Sequence, residues 1–151
     1  MTLKVYTRDE AHEEEFDTYK RLSKGDPSHL GYPHVRTALD VFTFFRTGGD
    51  HSRLVQNPMW ESFRDLLFRS PSHRFTEDLF KAGLKQVFLA LDYLHTECKL
   101  VHTDIKADNI LQEIEDPTIL DAFTEAELLQ PSPRKLGRQR TSVRINALWI
   151  I

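Results

Sequence analysis

Four polar residues at fixed spacing form the part of the chain that is best suited to catalysis. They are His102, Asp104, Lys106 and Asn109, at positions i, i+2, i+4 and i+7, with short apolar runs on both sides. Phosphoryl transfer uses residues of these types, because it requires an oriented nucleophile, neutralised phosphate charge and a bound cation. The pattern therefore predicts a phosphoryl-transfer loop held between two short strands.

Each of these side chains has a distinct predicted role. Asp104 accepts the proton of a substrate hydroxyl and orients that hydroxyl, and Lys106 offsets the charge that grows on the transferring phosphate. Asn109 offers its amide oxygen to Mg²⁺, a hard cation that prefers oxygen ligands. His102 has a structural role, which is to tie the loop to the core beneath it. Any one of these types alone is an ordinary loop residue, but four at fixed spacing favour the catalytic interpretation.

Composition indicates an intracellular globular protein of about one domain. The chain has 151 residues, 40% of them hydrophobic, and its ten phenylalanines permit a sizeable core. The formal net charge of −3 argues against a general nucleic-acid-binding surface. Cys98 is the only cysteine, which excludes an internal disulfide and fits a reducing compartment. No apolar run approaches the roughly 18 residues of a membrane span, so no membrane partner is expected.

Hydrophobic periodicity predicts an α+β chain. The predicted order is strand, helix, two strands joined by a hairpin, helix, long helix and catalytic loop, with one more helix after the loop. Thr76 is a candidate N-cap for the long helix, whose wide apolar face predicts a buried support. The predicted strands are 2–7, 38–45 and 52–56, the hairpin turn is 47–50, and the predicted helices are 9–23, 60–69, 76–98 and 119–129.

The amino-acid sequence around the loop resembles that of protein kinases, whose catalytic loop has the spacing H-x-D-x-K-x-x-N. The run Leu91–Lys106 is similar to the SR-protein kinase family in particular, which has Thr after the loop histidine, here Thr103, where most protein kinases have Arg. The run Pro58–Leu67 is similar to the fungal members of that family. The resemblance covers about residues 2–133.

The resemblance implies a protein-kinase fold of which this chain carries a part. It implies an N-lobe remnant over 1–57, with a partial sheet and the helix known as αC. The first C-lobe helices and the catalytic loop follow over 58–114, and the start of an insert lies over 115–133. The basic segment 134–151 departs from the family, and we expect it to be disordered.

Nucleotide-binding residues are also implied by the resemblance. Lys4 stands where the family has the lysine that contacts the α- and β-phosphates of ATP. Its expected partner is Glu15 on the following helix, and the neighbouring Glu14 stays open as the alternative. Asn57 and Met59 lie in the segment that resembles the hinge, where main-chain groups meet adenine.

Two motifs of the family are missing from the sequence. A glycine-rich loop would precede Lys4, which only three residues do, and no Asp-Phe-Gly follows the catalytic loop. The implied cofactors are ATP and Mg²⁺, but the Asp of the missing motif is the main metal ligand of the family. Asn109 is then one half of a metal site, and we expect a truncated chain that is inactive in isolation.

The implied activity is ATP-dependent phosphoryl transfer to Ser or Thr of proteins. Arg/Ser-rich splicing factors are the implied substrates, with the cytoplasm or the nucleus as the compartment and no direct nucleic-acid contact. A catalytically inactive kinase-like binding module would show the same residues and stays open. A small-molecule kinase is disfavoured, because Lys106 is typical of protein serine/threonine kinases. Thr103 cannot pair with a phosphorylated activation loop, so a full-length relative should not depend on that switch.

Overall fold

The structure is a computed structural model that describes residues 1–6, 13–45 and 50–132, together with the backbone of 134–137 and 140–143. The chain divides into two compact units, Met1–Gln112 and Glu113–Ile151. Every candidate site residue, from Lys4 to Asn109, belongs to the first unit. The fold of that unit is therefore what positions the site.

The first unit begins with a three-stranded antiparallel sheet whose central strand is the last of the three in sequence. The strands are β1 (Thr2–Val5), β2 (Asp40–Phe44) and β3 (His51–Gln56). Lys4 of β1 lies opposite Leu54 of β3, so the two side chains share a face of the sheet. Leu54 is fully buried, which marks this face as the one that joins the core.

All three predicted strands of this sheet are confirmed, each with somewhat different ends. Alternating apolar residues identify them because successive side chains of a strand point to opposite faces. Residues 46–49, which carry most of the predicted hairpin turn, lie outside the described residues. The antiparallel pairing of β2 with β3 is the pairing that such a hairpin predicts.

Helix α1, Glu13–Leu22, contributes to the core on the same face of the sheet. Three glutamates occupy its first turn, where the helix dipole favours negative charge. Tyr19 and Leu22 are buried and belong to one apolar cluster with Leu54. The sequence predicts a start at Asp9, and residues 7–12 lie outside the described residues.

The segment after β3 corrects one prediction. The sequence predicts a helix over 60–69, but Met59–Ser62 is a strand, β4, and helix α2 covers only Phe63–Arg69. Ser62 ends the extended segment because its hydroxyl accepts from the backbone N–H of Asp65 while the Asp65 carboxylate accepts from the backbone N–H of Ser62. This reciprocal capping box starts the helix at the next residue.

Helix α3, Glu77–Thr96, is the long helix that the sequence predicts, and Thr76 caps it by accepting a hydrogen bond from the backbone N–H of Leu79. Its C-terminal end is buried at Tyr93 and Leu94. The prediction of a buried face is confirmed only in part for the rest of the helix. Leu84, Val87 and Leu91 are partly buried, whereas Leu79 is 38% and Phe80 49% exposed at the N-terminal end.

Tyr93 joins α3 to α1. Its hydroxyl donates a 2.6 Å hydrogen bond to the carbonyl oxygen of Leu22, the last residue of α1. Tyr93 and Leu22 belong to one buried cluster with Tyr6 and Leu54, so sheet, α1 and α3 share a core. A short strand β5, Leu111–Glu113, follows the catalytic loop and pairs with β4.

The second unit contains helix α4, Thr118–Leu129, which the sequence predicts over 119–129. Two short strands follow, β6 (Arg134–Gly137) and β7 (Arg140–Val143), and they pair in antiparallel register. They lie within the segment for which the sequence predicts disorder. No helix among the described residues is long and apolar enough to cross a membrane.

Candidate active site

The candidate catalytic loop lies between α3 and β5. It starts after Lys99, a non-glycine residue with φ of 54°, and ends in a short 3-10 helix, Ala107–Asn109. The backbone N–H of Asn109 donates to the carbonyl oxygen of Lys106 and closes that turn. The sequence predicts a short strand on each side of the loop. The second strand is confirmed as β5, but the first prediction is wrong, because Leu100 and Val101 are not in a strand.

Asp104 lies at the centre of a cluster formed by the residues of the predicted motif. Lys106 Nζ donates to Asp104 Oδ2 at 2.6 Å. Asn109 Nδ2 donates to the same oxygen at 3.0 Å and to the Asp104 carbonyl oxygen at 2.8 Å. The structure therefore brings Asp104, Lys106 and Asn109 together, as the spacing predicts.

These hydrogen bonds change the acidity of the carboxylate. The hydrogen bond from Lys106 lowers the pKa of Asp104 below its usual value, and the hydrogen bond from Asn109 adds to this effect while partial desolvation opposes it. Asp104 is therefore ionised throughout the neutral pH range. An ionised carboxylate is the form that accepts a hydrogen bond from a substrate hydroxyl.

Both side-chain hydrogen bonds use the same carboxylate oxygen. Among the described residues, none donates to Asp104 Oδ1. That oxygen is the one available to accept a hydrogen bond from a substrate hydroxyl, while Oδ2 fixes the orientation of the group. His102 helps to shape the turn, because its Nδ1 accepts from the backbone N–H of Asp104 at 3.2 Å.

Lys4 of β1 and Glu15 of α1 form an ion pair. Lys4 Nζ lies 2.7 Å from Glu15 Oε1, and both side chains are about one-third exposed. The ammonium group also lies 4.6 Å from the centre of the Tyr6 ring, within the range of a cation–π contact. Glu14, the alternative partner, is exposed, and its carbonyl oxygen accepts from the Thr18 hydroxyl.

Tyr6 lies beside this ion pair and Tyr19 lies beside the end of β3, and the sequence analysis gave neither of them a role at the site. Burial raises the pKa of Tyr6, and a hydrogen bond with Glu15 raises it further. Burial also raises the pKa of Tyr19, whose hydroxyl accepts from Nε2 of the buried Gln56 at 3.0 Å. Gln56 was the available signal, because a buried amide at the end of a strand requires a polar partner.

The predicted hinge residues lie in different local structures. Asn57 is an exposed loop residue, and its carbonyl oxygen accepts from Arg36 Nη2 at 2.5 Å. Met59 begins β4 and is partly buried. Arg36 therefore fixes the path of the chain between β3 and β4, and the adenine contacts of this segment stay a prediction.

A second ion pair lies beside the catalytic loop. Arg64 Nη1 of α2 lies 3.0 Å from Asp108 Oδ1, within the short 3-10 helix that ends at Asn109. The pair joins residues that are far apart in sequence, so no local pattern predicts it. The pair joins α2 to the C-terminal end of the catalytic loop.

The donor set fits a nucleotide with a divalent cation. Lys4 offers a positioned ammonium group, which suits phosphate oxygens. Asn109 uses its NH₂ group on Asp104, which leaves its carbonyl oxygen as the donor that Mg²⁺ prefers. The described residues contain no cluster of three or more His, Cys, Asp or Glu that would hold a metal by itself.

Comparison with known sequences decides the family. The family model described as "Protein kinase domain" matches residues 28–141. The chain belongs to the protein kinase family. The match includes the whole cluster of Asp104, Lys106 and Asn109.

Relatives of this chain confirm the predicted resemblance to SR-protein kinases. A serine/threonine protein kinase of Aspergillus fumigatus is 34% identical over 141 residues, which are 93% of this chain and 33% of that protein. The serine/threonine-protein kinase SKY1 of Saccharomyces cerevisiae is 35% identical over 127 residues, 82% of this chain and 17% of that protein. SRSF protein kinase 3 of Mus musculus is 30% identical over 119 residues, 79% of this chain and 21% of that protein.

The chain spans a third or less of the length of these curated relatives. The solved structure of vaccinia related kinase 3 matches with a TM-score of 0.58 at 22% identity, covering 77% of this chain and 36% of that chain. This likeness confirms the predicted α+β, kinase-like fold.

Proposed function

We propose that this kinase domain belongs to an ATP-dependent serine/threonine protein kinase in which Asp104 orients the substrate hydroxyl. The observation that carries the proposal is that Lys106 and Asn109 both bond the same oxygen of Asp104. The carboxylate is then fixed, ionised and has its second oxygen available for the substrate. The names of the relatives, which are serine/threonine protein kinases, support the same reaction.

The residues of this chain have separate tasks in the proposed reaction. Asp104 Oδ1 accepts a hydrogen bond from the substrate hydroxyl and takes its proton as the oxygen bonds to phosphorus. Lys106 orients Asp104 and adds positive charge beside the transferring group. Lys4, held by Glu15, binds phosphate oxygens of the nucleotide. ATP with Mg²⁺, when bound, would supply the γ-phosphoryl group with ADP as the leaving group, and the amide oxygen of Asn109 would hold the cation.

We propose Arg/Ser-rich proteins as the substrates, in the cytoplasm or the nucleus. The support is the similarity to SRSF protein kinase 3 and the presence of Thr103 after the loop histidine. We also propose that Asn57 and Met59 belong to the hinge. The partial kinase domain then consists of an N-lobe remnant over 1–57, the start of the C-lobe over 58–114 and the start of an insert over 115–133. The basic segment 134–151 lies outside the proposed site.

Nucleotide binding by the 151-residue chain tests the Lys4–Glu15 half of the site. Glu15→Gln removes the charge that holds Lys4, so we expect the dissociation constant for Mg·ATP to rise about ten-fold, as loss of a charge-assisted hydrogen bond does. Lys4→Met should raise it at least as much. The measurement is a titration with a fluorescent ATP analogue, competed with unlabelled ATP.

Matched substitutions on the same helix control for charge. Glu14→Gln removes an equal charge from the neighbouring exposed position, and Lys20→Met removes a surface lysine that pairs with Asp17. Both should bind Mg·ATP like the unmodified chain. Equal weakening by Glu14→Gln and Glu15→Gln would contradict the proposed site, and a chain that binds no ATP at all would favour the kinase-like binding module.

A further inference from the structure

A guanidinium joins helix α1 to the backbone at the entrance of the catalytic loop. Arg21 Nη2 donates to the carbonyl oxygens of Cys98 and Lys99, at 3.0 Å in each case. Arg21 lies in the last turn of α1, and its two acceptors follow the end of α3. The contact therefore links elements that are more than seventy residues apart in the sequence.

The backbone that Arg21 contacts is a strained turn. Lys99 has φ of 54°, in the left-handed region that is unfavourable for a residue with a Cβ atom. The turn reverses the chain so that the backbone N–H of Leu100 donates to the Leu94 carbonyl oxygen at 2.9 Å. Carbonyl groups at a helix end carry partial negative charge, which a guanidinium offsets. The hydrogen bonds from Arg21 thus offset the conformational free energy that the positive φ of Lys99 costs.

The same helix holds both halves of the candidate site. Glu15 of α1 pairs with Lys4, and Arg21, almost two turns later on α1, contacts Lys99. Lys99 lies only five positions before Asp104 in the sequence. Tyr93 adds a second link between the two helices, through its hydrogen bond to the Leu22 carbonyl oxygen, and the backbone N–H of Cys98 donates to the Tyr93 carbonyl oxygen.

We propose that Arg21 is a positioning residue that sets the path of the catalytic loop and, through it, the position of Asp104. Its importance for catalysis rests on the proposed function, but its effect on the loop is measurable without nucleotide. Helix α1 then acts on the site twice, through Glu15 on the phosphate-binding lysine and through Arg21 on the catalytic carboxylate. Displacement of α1 would alter both together.

Hydrogen exchange of the full 151-residue chain tests this proposal. In Arg21→Gln we expect amide exchange over 100–109 to become at least about ten-fold faster, because a neutral amide loses the charge-assisted bonds that hold the turn. Exchange in α1 and β3 should stay unchanged. The backbone amide signal of Asp104, followed by NMR, should shift in Arg21→Gln, while the amide signals of β3 keep their positions.

Two variants complete the test. Lys20→Gln changes the neighbouring residue of α1 and should leave the loop unaffected, whereas Arg21→Lys keeps a cation and should exchange between the two extremes. Unchanged exchange at 100–109 in Arg21→Gln would overturn the proposal, and so would an equal acceleration throughout α1 and β3, which indicates general destabilisation. A localised effect in a chain that binds no ATP would contradict the proposed function alone.

Discussion

At the scale of single residues, the chemistry of the site depends on how Asp104 is bonded. Lys106 and Asn109 share one of its oxygens, at 2.6 and 3.0 Å. The hydrogen bond from Lys106 stabilises the ionised form of the Asp104 carboxyl group. The hydrogen bond from Asn109 fixes the orientation of that group, since Asn109 also bonds the Asp104 carbonyl oxygen. Each residue of the motif therefore has a structural task in addition to its proposed chemical one.

The acidity of Asp104 gives a direct prediction. Lys106→Met removes the main cause of the lowered pKa, so the pKa of Asp104 should rise towards the ordinary aspartate value of about 3.9. A lowered native pKa adds stability above the unfolded value and loses it as pH falls through the native value, so this variant should lose the added stability at neutral pH. The measurement is a carboxyl ¹³C NMR titration between about pH 2 and 6.

A lysine on α3 provides the control for that titration. Lys81 pairs with Glu77 on the helix surface, so Lys81→Met should leave the Asp104 titration unchanged. An Asp104 pKa that stays low in Lys106→Met would contradict the assignment of Lys106 as the principal cause.

Sequence reasoning found the residues of the proposed catalytic cluster because their spacing is local. Asp104, Lys106 and Asn109 lie within a six-residue window, so residue type and spacing suffice. Arg21 and Tyr6 were missed because their partners are distant in sequence or have no periodic signal. The choice of Glu15 over Glu14 was likewise open until the structure showed which carboxylate lies beside Lys4.

At the scale of elements, the backbone of the loop that follows α1 packs closely against the backbone of α3. Gly31 packs against α3, and a Cβ atom at this position would lie 1.9 Å from the Leu89 carbonyl oxygen. The φ of Gly31 is −85°, so close approach and not a left-handed backbone excludes a side chain here. The loop between α1 and β2 therefore depends on a glycine to reach α3.

Gly31→Ala should destabilise the first unit for this reason. Overpacking against fixed backbone costs about 1–3 kcal/mol or more, because neither helix nor loop yields easily. Leu30→Ala, at the adjacent exposed position, should change the free energy of unfolding by no more than about 0.5 kcal/mol. Urea unfolding followed by circular dichroism measures both, and equal stability of the two variants would refute the close packing of Gly31 on α3.

Hydrophobic periodicity predicted most helices and strands but not which other elements pair with them or cover them. The caps at Thr76 and Ser62 are local, and Thr76 was found. The strand Met59–Ser62 was missed, since it forms only by pairing with β5, some fifty residues later. The burial of α3 was overestimated, because an apolar stripe shows that a face is suited to burial and not that a partner covers it.

At the scale of the whole molecule, one compact unit carries both halves of the proposed kinase site. Lys4 with Glu15 and Asp104 with its two donors all belong to Met1–Gln112. A shared core of Tyr6, Leu54 and Tyr93 joins the elements that carry them. The sequence has no Asp-Phe-Gly, so the proposed metal site has only one of its family ligands in this chain.

Phosphoryl transfer is the measurement that tests the central claim most directly. The chain is fused, after Asp116, to the segment that follows the catalytic loop in SKY1 of Saccharomyces cerevisiae, and transfer of labelled γ-phosphate from Mg·ATP to an Arg-Ser peptide is measured. We expect the 151-residue chain alone to transfer no phosphate, the fusion to transfer it, and Asp104→Asn in the fusion to lower kcat by at least about a hundred-fold. A folded fusion that binds ATP but transfers equally well with Asp104→Asn would contradict the assignment of Asp104 as the catalytic carboxylate.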